Sequence, residues 1–228
     1  MRLLIIGHGR MGHVVESLSD AYGFETVGVL DIDNNLDGRA LTAPPAADVA
    51  IEFSIASATV QNLPLLAKHH INMVIGTTGW QEHEPELRRV VADAGVGVVV
   101  SSNFSLGANL FQSIVEQAAR QFAAHPDYGA WVYEAHHAAK KDAPSGTALT
   151  LKAGMEAAGY ARHIDVSSTR VGSIPGTHTV GFDGPADTVT LTHTNRDRSA
   201  FARGALEAAR WVVGKHGWFT MKDVLGLT

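Results

Sequence analysis

Cysteine is absent from this chain of 228 residues, and its absence removes several kinds of chemistry. Disulfide bridges, thiolate zinc sites and cysteine nucleophiles are all excluded. A long apolar run is also missing at the start of the chain, where Leu3 to Ile6 is followed at once by Gly7. A run this short cannot serve as a signal peptide or span a membrane, so we expect a soluble, cytoplasmic protein without membrane contacts.

Positive charge is scarce as well. The chain has 18 Lys and Arg against 23 Asp and Glu, which gives a formal net charge of −5. Because no run of Lys or Arg compensates for this balance, nucleic acid is not expected as a partner. The chain is instead 45% hydrophobic, which is ordinary for a globular protein, and it is long enough for one large or two modest domains.

Short β-branched runs alternate with helical patterns in the N-terminal part of the chain. Met11, Val14, Val15 and Leu18 recur at helical spacing, and a second helix is predicted over 82–94. This alternation predicts a doubly wound α/β domain with a parallel sheet. The predicted strands, apolar enough to be buried on both faces, are Leu3–Ile6, Thr26–Leu30, Val49–Phe53, Asn72–Ile75 and Val96–Val100.

The pattern changes after a predicted helix over 106–122. One further helix is predicted to begin near Ser145, and the segment 201–213 again has apolar residues at helical spacing. Longer strands separated by Gly, Pro and Asp turns are predicted between these helices. They are Trp131–Glu134, Val166–Val171, Thr177–Phe182 and Thr188–His193.

A glycine-rich turn, G-x-G-x-x-G from Gly7 to Gly12, follows the first strand and opens the first helix. This arrangement is typical of dinucleotide binding, because the glycines allow a tight turn, close approach of a pyrophosphate and close packing of helix on strand. Asp31 ends the second strand, where an acid can bind the adenosine ribose. No arginine follows it, which favours NADH over NADPH, although Arg10 or Arg39 could receive a 2′-phosphate. The alternative is a purely structural turn.

Two more turns lie at the same predicted edge of the sheet. Gly76 to Gly79 follows the fourth strand, and Ser101 to Phe104 follows the fifth. Ligands of open α/β sheets bind outside the carboxyl ends of the strands, so both turns are candidates for cofactor contacts. Ordinary turn chemistry explains them equally well.

The segment 134–148 combines two histidines and two lysines with a Pro-Ser-Gly-Thr turn that can open a helix. His and Lys are readily tuned to donate protons, and a helix N-terminus offers N–H groups to an anion. Three interpretations of the histidines compete: structural residues, metal ligands or acid catalysts. The spacing H-E-x-x-H does not occur, which argues against a metal. His178 and His193, in predicted strands, are interpreted as packing or hydrogen-bonding residues.

This segment resembles the signature of a known family, the 4-hydroxy-tetrahydrodipicolinate reductases, also called dihydrodipicolinate reductases, of bacterial lysine and diaminopimelate synthesis. The resemblance extends along the chain, through residues 9–12, 76–79, 103–107, 176–180, 201–206 and 221–225. It implies NAD(P)H-dependent reduction of 4-hydroxy-tetrahydrodipicolinate, a small cyclic dicarboxylate, to tetrahydrodipicolinate with loss of water.

The resemblance also implies a domain organisation. A Rossmann-type dinucleotide-binding domain would comprise residues 1–106 and 198–228, with its last helix contributed by the C-terminal part of the chain. Residues 107–197 would form a second, α+β domain with an open mixed sheet, which binds the substrate and builds a homotetramer.

By the same resemblance, His136 is the acid catalyst, Lys140 assists as a proton donor, and His137 touches the substrate. Ser145, Gly146 and Thr147 would hold a substrate carboxylate, and no metal is implied. NADH or NADPH would be held by Gly7, His8, Gly9, Arg10, Met11, Gly12, Asp31, Gly76, Thr77, Thr78, Ser101, Ser102, Asn103 and Phe104.

Two features depart from the family pattern. The segment between Asp31 and Asp48 is shorter than in many members, and Glu52-Phe53-Ser54 stands where Asp-Phe-Thr is usual. The acid and the hydroxyl survive in the second case, so little consequence is expected. Two rival functions remain: a nucleotide-binding sensor without catalysis, and a metal-assisted hydrolase built on the histidine pair.

Overall fold

The computed structural model describes residues 1–227, which divide into two compact units. The first unit combines Met1–Leu106 with the chain from Arg198 onward, and the second comprises Gly107–Asp197. Among the described residues, no helix is long and apolar enough to cross a membrane.

The first unit contains a six-stranded sheet in which all neighbouring strands are parallel. The predicted doubly wound, Rossmann-type α/β sheet is therefore confirmed. In spatial order the strands are β10 (Gly217–Phe219), β5 (Gly97–Val100), β4 (Asn72–Ile75), β3 (Val49–Glu52), β1 (Arg2–Ile6) and β2 (Glu25–Leu30).

Helices cover both faces of this sheet. Successive residues of β1 point to opposite faces, so Leu3 and Ile5 join one hydrophobic core while Leu4 and Ile6 join the other. Burial of each such side chain stabilises the fold by about 1.5–3 kcal/mol. The helices are α1 (Arg10–Ser19), α2 (Ala56–Lys68), α3 (Glu84–Ala94), α6 (Ser199–Val212) and α7 (Met221–Leu225), with 3₁₀ turns at Asp20–Tyr22, Leu36–Thr42 and Gln81–His83.

Helix α6 lies in the first core together with α1, whereas α2 and α3 contribute to the second. Its buried face is rich in alanine, with Ala202, Ala205 and Ala209 fully buried. Small side chains let the helix backbone approach closely, and Gly204 is the extreme case. A Cβ at that position would lie 1.7 Å from the carbonyl oxygen of Phe104.

Three elements of the first unit lie outside the sequence predictions. Helix α2 contains Pro64, and Thr59 and Asn62 are on its buried face, so its apolar pattern is interrupted. Strand β10 is only three residues long and is too short to show a period. Helix α7, at Met221–Leu225, is similarly short.

The second unit has a four-stranded mixed sheet, as predicted. The β6–β7 pair is parallel, whereas β6–β8 and β8–β9 are antiparallel. The order is β7 (Ile164–Arg170), β6 (Gly129–His136), β8 (Thr177–Asp183) and β9 (Thr188–Thr194), accompanied by α4 (Leu106–Ala123) and α5 (Gly146–Ala157). Strand β6 is longer than predicted: the predicted strand ends at Glu134, whereas β6 continues to His136.

The core of the second unit lies between this sheet and its two helices. Val132 and Val180 from the sheet pack with Val115 of α4 and Leu151 of α5. Glu134 lies on the same face of β6 as Val132, since residues two apart in a strand share a face. The apolar face of β6 therefore ends in a buried carboxylate near the start of α5.

Candidate active site

A cleft of about 480 Å³ lies at the carboxyl ends of β1, β3 and β4 in the first unit. The sheet order changes direction between β1 and β3, and this is where open α/β sheets bind ligands. The residues that line the cleft are Gly9, Arg10, Met11, Phe53, Ser54, Ile55, Ala56, Gly76, Thr77 and Thr78.

The glycine-rich turn has the geometry that a pyrophosphate needs. Gly7 has a left-handed φ of +89°, and a Cβ at Gly12 would lie 2.1 Å from the carbonyl oxygen of Gly7. A Cβ at Gly9, by contrast, would meet no atom within 4 Å, so the backbone there is open to a ligand. No side chain caps the N-terminus of α1 at Gly9. Its N–H groups can therefore bind an anion, and the site fits a dinucleotide.

A buried carboxyl group, that of Glu52, holds the turn after β3 that lines the cleft. Glu52 is 2% exposed and accepts hydrogen bonds from the Ser54 amide, at 3.2 Å, the Ser54 hydroxyl and the Thr59 hydroxyl, at 2.8 Å. The Ser54 amide also donates to Thr77 Oγ1 at 2.9 Å, which ties the turn after β3 to the turn after β4. Burial raises the pKa of Glu52.

The other residues predicted to hold the cofactor have varied surroundings. His8 turns its ring onto α1, where Nε2 lies 2.7 Å from Glu16 Oε2, so only its backbone remains for the turn. Asp31 Oδ1 accepts the amide of Asp33 at 3.0 Å. Phe104 is 1% exposed, and its ring contacts that of Phe53 edge to face.

The turn after β5 is also held internally. Ser101 Oγ donates to the carbonyl of Asn103 at 2.8 Å, and Asn103 Oδ1 accepts the amide of Ser105 at 2.9 Å. Several of the residues predicted to hold the cofactor lie outside the lining of the cleft, namely Gly7, His8, Gly12, Asp31, Ser101, Ser102, Asn103 and Phe104. Their predicted contacts with the cofactor stay predictions.

In the second unit, strand register brings four ionisable side chains together. Glu134 and His136 are two residues apart on β6, Arg170 of β7 is opposite His136, and His178 of β8 is opposite Glu134. All four are half-buried or buried. Only His136 was predicted to be part of the site.

Glu134 is the centre of this group and is fully buried. Arg170 binds both of its oxygens, with Nη2–Oε1 and Nη1–Oε2 distances of 2.6 and 2.8 Å. The Ser145 amide donates to Oε1 at 3.1 Å, and His136 Nδ1 lies 2.5 Å from Oε2. Burial by itself would raise the pKa of Glu134, but the hydrogen bonds, that of Arg170 foremost, outweigh it and lower the pKa to about 2. Glu134 is therefore an anion at neutral pH.

His136 is oriented by this anion. An ionised carboxylate only accepts hydrogen bonds, so Nδ1 of His136 carries a hydrogen and Nε2 is the free end of the ring. A Cβ at Gly176 would lie 3.1 Å from Nε2, and glycine keeps that side of the ring clear. Burial lowers the pKa of His136, against the effect of Glu134. The ring is thus neutral in the free protein at neutral pH.

Lys140 is anchored close to the strand end. Its Nζ donates to both carboxylate oxygens of Asp142 at 2.8 Å, and its charge contributes to lowering the pKa of His136. Lys141, by contrast, is exposed. The Lys140 amide donates to the carbonyl of His137 at 3.1 Å, so the two residues share one tight turn.

Helix α5 begins where the sequence predicts. Ser145 is the N-cap, and its Oγ accepts the Ala148 amide at 3.2 Å. Ser145 is only 2% exposed, and its amide and hydroxyl both form internal hydrogen bonds. A Cβ at Gly146 would meet nothing within 4 Å. Gly146 and the half-buried Thr147 are therefore the accessible part of this turn, while Ser145 holds it in place.

Glu134, His136 and His178 offer ligand atoms within 4.8 Å of one another, a spacing that a metal ion could use. The donor set does not suit one, however, because Arg170 places a positive charge on both oxygens of Glu134. His178 Nε2 is bonded to Ser145. This group is better described as an imidazole held in place by a buried anion.

Sequence reasoning missed three groups that support the site. Glu134 was placed at the end of a predicted strand and given no role, Arg170 was not singled out, and His178 was interpreted only as a packing or hydrogen-bonding residue. A signal existed only for Glu134, since an acid in an apolar strand beside a histidine calls for a buried partner. The turn from Phe53 to Ala56 was likewise not predicted to line the cleft.

Comparison with known proteins agrees with this architecture. Two family models match, one for the N-terminus of dihydrodipicolinate reductase over residues 1–104 and one for its C-terminus over residues 107–225. A protein from Methanoregula boonei named 4-hydroxy-tetrahydrodipicolinate reductase is 41% identical over 221 residues, which cover 90% of this chain and 83% of the relative. A protein of the same name from Christiangramia forsetii is 34% identical over 236 residues, with 99% and 98% covered.

A solved structure has the same fold. Dihydrodipicolinate reductase from Paenisporosarcina sp. TG-14, with dipicolinate bound, superposes with a TM-score of 0.84 at 22% identity, over 96% of this chain and 97% of that one. The two family models together span nearly all of the described residues. The chain therefore belongs to the dihydrodipicolinate reductase family.

Proposed function

We propose that this chain catalyses NAD(P)H-dependent reduction of 4-hydroxy-tetrahydrodipicolinate to tetrahydrodipicolinate in lysine and diaminopimelate synthesis. The observation that carries the proposal is the arrangement at the end of β6. There a buried carboxylate, that of Glu134, fixes the His136 ring and leaves the Nε2 atom of the ring uncovered. The same carboxylate accepts the Ser145 amide, so the N-terminus of α5 lies beside this histidine. The names of the relatives and the dipicolinate bound to the Paenisporosarcina enzyme support a small cyclic dicarboxylate as substrate.

His136 is proposed as the acid. Because Glu134 holds the hydrogen on Nδ1, the transferable proton is the one on Nε2 of the imidazolium. A doubly negative substrate favours the charged ring and raises the pKa of His136 when it binds. Substrate binding thus favours protonation of His136 at Nε2, and this is the proton that the reaction consumes.

Substrate binding is assigned to the turn at the start of α5. Gly146 is exposed and Thr147 is half-buried, and both lie at the positive end of the helix dipole, where the Gly146 amide already contributes a hydrogen bond to an anion, the Asp142 carboxylate. Lys140 adds a positive charge and a second proton donor, and His137, half-buried in the same turn, is proposed to touch the substrate. Ser145 is buried beneath this turn and holds it in place through its hydrogen bonds.

The cleft of the first unit is proposed to hold the nucleotide, with the glycine-rich turn at the pyrophosphate and Asp31 at the ribose. When bound, NADH or NADPH would supply the hydride. Asp31→Ala should therefore weaken NADH binding more than NADPH binding. Only NADH has a free 2′-hydroxyl on its adenosine ribose, and this hydroxyl can donate a hydrogen bond to the Asp31 carboxylate. Equal losses for both nucleotides, measured by calorimetry, would remove Asp31 from the ribose site.

The test of the proposal is the loss of NADH or NADPH absorbance with freshly made substrate. Wild type should oxidise at least one nucleotide, and His136→Ala or Lys140→Ala should lower kcat by about 10²–10⁴-fold. Lys141→Ala is the matched control, since Lys141 is an exposed neighbour, and it should leave kcat unchanged. Oxidation of neither nucleotide would favour a nucleotide-binding sensor instead.

Two further assignments belong to the same proposal. A homotetramer in the cytoplasm is predicted from the family resemblance, and sedimentation of the purified protein would test the assembly. The rival metal-assisted hydrolase makes a different prediction. Turnover that persists after treatment with a strong chelator would exclude it.

A further inference from the structure

His178 is a buried histidine with no role in the reaction described above. It lies on β8, is 3% exposed, and its Nε2 is 3.0 Å from Ser145 Oγ. Its ring stands edge to face with that of His136, with 5.1 Å between centroids. It thus contacts both the support of α5 and the proposed acid.

His178 is neutral at working pH. Burial, and then the nearby His136, lower its pKa to about 4. A neutral imidazole has one nitrogen that donates and one that accepts. The direction of the hydrogen bond to Ser145 therefore determines which nitrogen carries the hydrogen.

Counting buried groups decides that direction. Within residues 1–227, Ser145 Oγ is hydrogen-bonded only to the Ala148 amide and His178 Nε2, and His178 Nδ1 has no partner. If Nε2 donated, the Ser145 hydroxyl hydrogen and the Nδ1 lone pair would both be left without partners. If the hydroxyl donates to Nε2, only the Nδ1–H group is left. Each unsatisfied buried group is costly, so the second arrangement is favoured.

We propose that His178 is a positioning residue: it accepts the Ser145 hydroxyl at Nε2 and so fixes the first turn of α5, which presents Gly146 and Thr147 to the substrate. Ser145 is then held at three points, by Glu134 through its amide, by His178 through its hydroxyl hydrogen and by Ala148 through its oxygen. The role rests on the proposed function of that turn. The tautomer does not, since it follows from the contacts alone.

The first experiment therefore needs no substrate. Two-bond ¹⁵N–¹H correlation spectra of histidine-labelled protein at neutral pH distinguish the two tautomers, and the signal lost in His178→Gln identifies His178. The expected result is hydrogen on Nδ1 and none on Nε2. Hydrogen on Nε2, or on both nitrogens, would overturn the proposal.

The second experiment measures KM for the dicarboxylate and the inhibition constant of dipicolinate. His178→Met removes a strong acceptor at similar volume and should raise both by about tenfold, with KM for the nucleotide unchanged. In His178→Gln the amide oxygen can accept the hydrogen bond of the Ser145 hydroxyl, so both constants should return most of the way to the wild-type values. His193→Met on the neighbouring strand is the matched control and should have wild-type constants.

A double-mutant cycle separates positioning from general destabilisation. If His178 acts through Ser145, His178→Met should add little to Ser145→Ala. Additive losses, or a His178→Met enzyme with wild-type KM, would contradict the inference. If instead the wild type neither binds dipicolinate nor oxidises nucleotide, the proposed function fails, while the tautomer measurement still decides the hydrogen bond.

Discussion

At the scale of single residues, the site depends on one buried anion. Glu134 binds Arg170 and His136 and receives the Ser145 amide, so a carboxylate with no access to solvent fixes the guanidinium, the imidazole and a helix N-terminus. This is the reason for proposing His136, and not the adjacent His137, as the acid. Only His136 is on the same face of β6 as Glu134.

The protonation of His136 predicts two different pH profiles. An acid must be protonated to act, so activity is present below its pKa and is lost as the pH rises through it. The profile of kcat/KM reports the free enzyme, in which burial lowers the pKa of His136. The profile of kcat reports the complex, in which the anionic substrate raises it. The descending limb of kcat should therefore lie at higher pH, and coincident limbs in steady-state kinetics would contradict the assignment.

Removing the charge of Glu134 should destabilise the fold. In Glu134→Gln the Arg170 guanidinium, 16% exposed, loses its anion, and the expected cost is about 3–5 kcal/mol in urea unfolding at neutral pH. Because the folded pKa is depressed to about 2, this contribution is present above the unfolded pKa and is lost as the pH falls toward 2. The difference between the two proteins should shrink over that range.

Glu156→Gln is the control for that change. Glu156 is half exposed, and its oxygen is 3.9 Å from Lys152 Nζ. Exposed ion pairs contribute about 0–1 kcal/mol, so the variant should unfold close to wild type. A cost for Glu134→Gln no larger than that of Glu156→Gln would show that the buried network does not stabilise the fold.

At the scale of elements, the sequence predicts best where a pattern is local. The turn from Gly7 to Gly12 and the N-cap at Ser145 were predicted, since each depends on residues a few positions apart. Helix α2 was not, because its buried face includes Thr59 and Asn62, whose partners come from other elements. Thr59 donates to Glu52 and Asn62 accepts from Asn35, which makes these polar groups acceptable inside.

The contact of α6 with the segment that follows β5 gives a prediction at this scale. Gly204→Ala should destabilise the protein by about 1–3 kcal/mol, because a Cβ there would overlap the Phe104 carbonyl. Alanine has the better helix propensity by about 1 kcal/mol, so propensity alone predicts the opposite sign. Urea unfolding decides between them.

Gly154→Ala in α5 is the matched control. Its Cβ would meet the end of the Glu116 side chain, at 2.9 Å from Oε1, and a flexible side chain can move. This variant should be near neutral or slightly more stable. If both alanine variants behaved alike, close packing of α6 would not be the cause.

At the scale of the whole molecule, the first unit is discontinuous in sequence. Residues 1–106 provide five strands of its sheet, whereas α6 and β10 return from the C-terminal part of the chain. Helix α6 buries seven of its residues in this unit. A fragment of residues 1–106 therefore lacks the helix that covers part of one sheet face.

We expect that fragment to lack a cooperative unfolding transition by circular dichroism. Joining residues 1–106 to 198–228 through a short linker should restore the transition and NADH binding. The linker can be short, since a Cβ at Gly204 would lie 3.6 Å from the Leu106 amide. A stable, cooperatively folded 1–106 fragment would show that α6 is dispensable.

The sequence by itself determined the features that depend on short spacing. These are the strand–turn–helix at Gly7, the alternation of strands and helices in the N-terminal part of the chain, and the histidine and lysine that precede the N-cap of α5. The family followed from the same residues, since its motifs are contiguous. Local geometry is encoded locally, and that is why the fold and the family were confirmed; the roles of the histidine and the lysine stay predictions.

Only the tertiary structure decided what holds those residues in place. Arg170 is 36 residues from Glu134, and His178 is 33 residues from Ser145. They meet because β7 and β8 flank β6 in a fixed register. A buried charge or hydroxyl must find a partner wherever the fold supplies one, and the sequence pattern does not specify which distant strand that is.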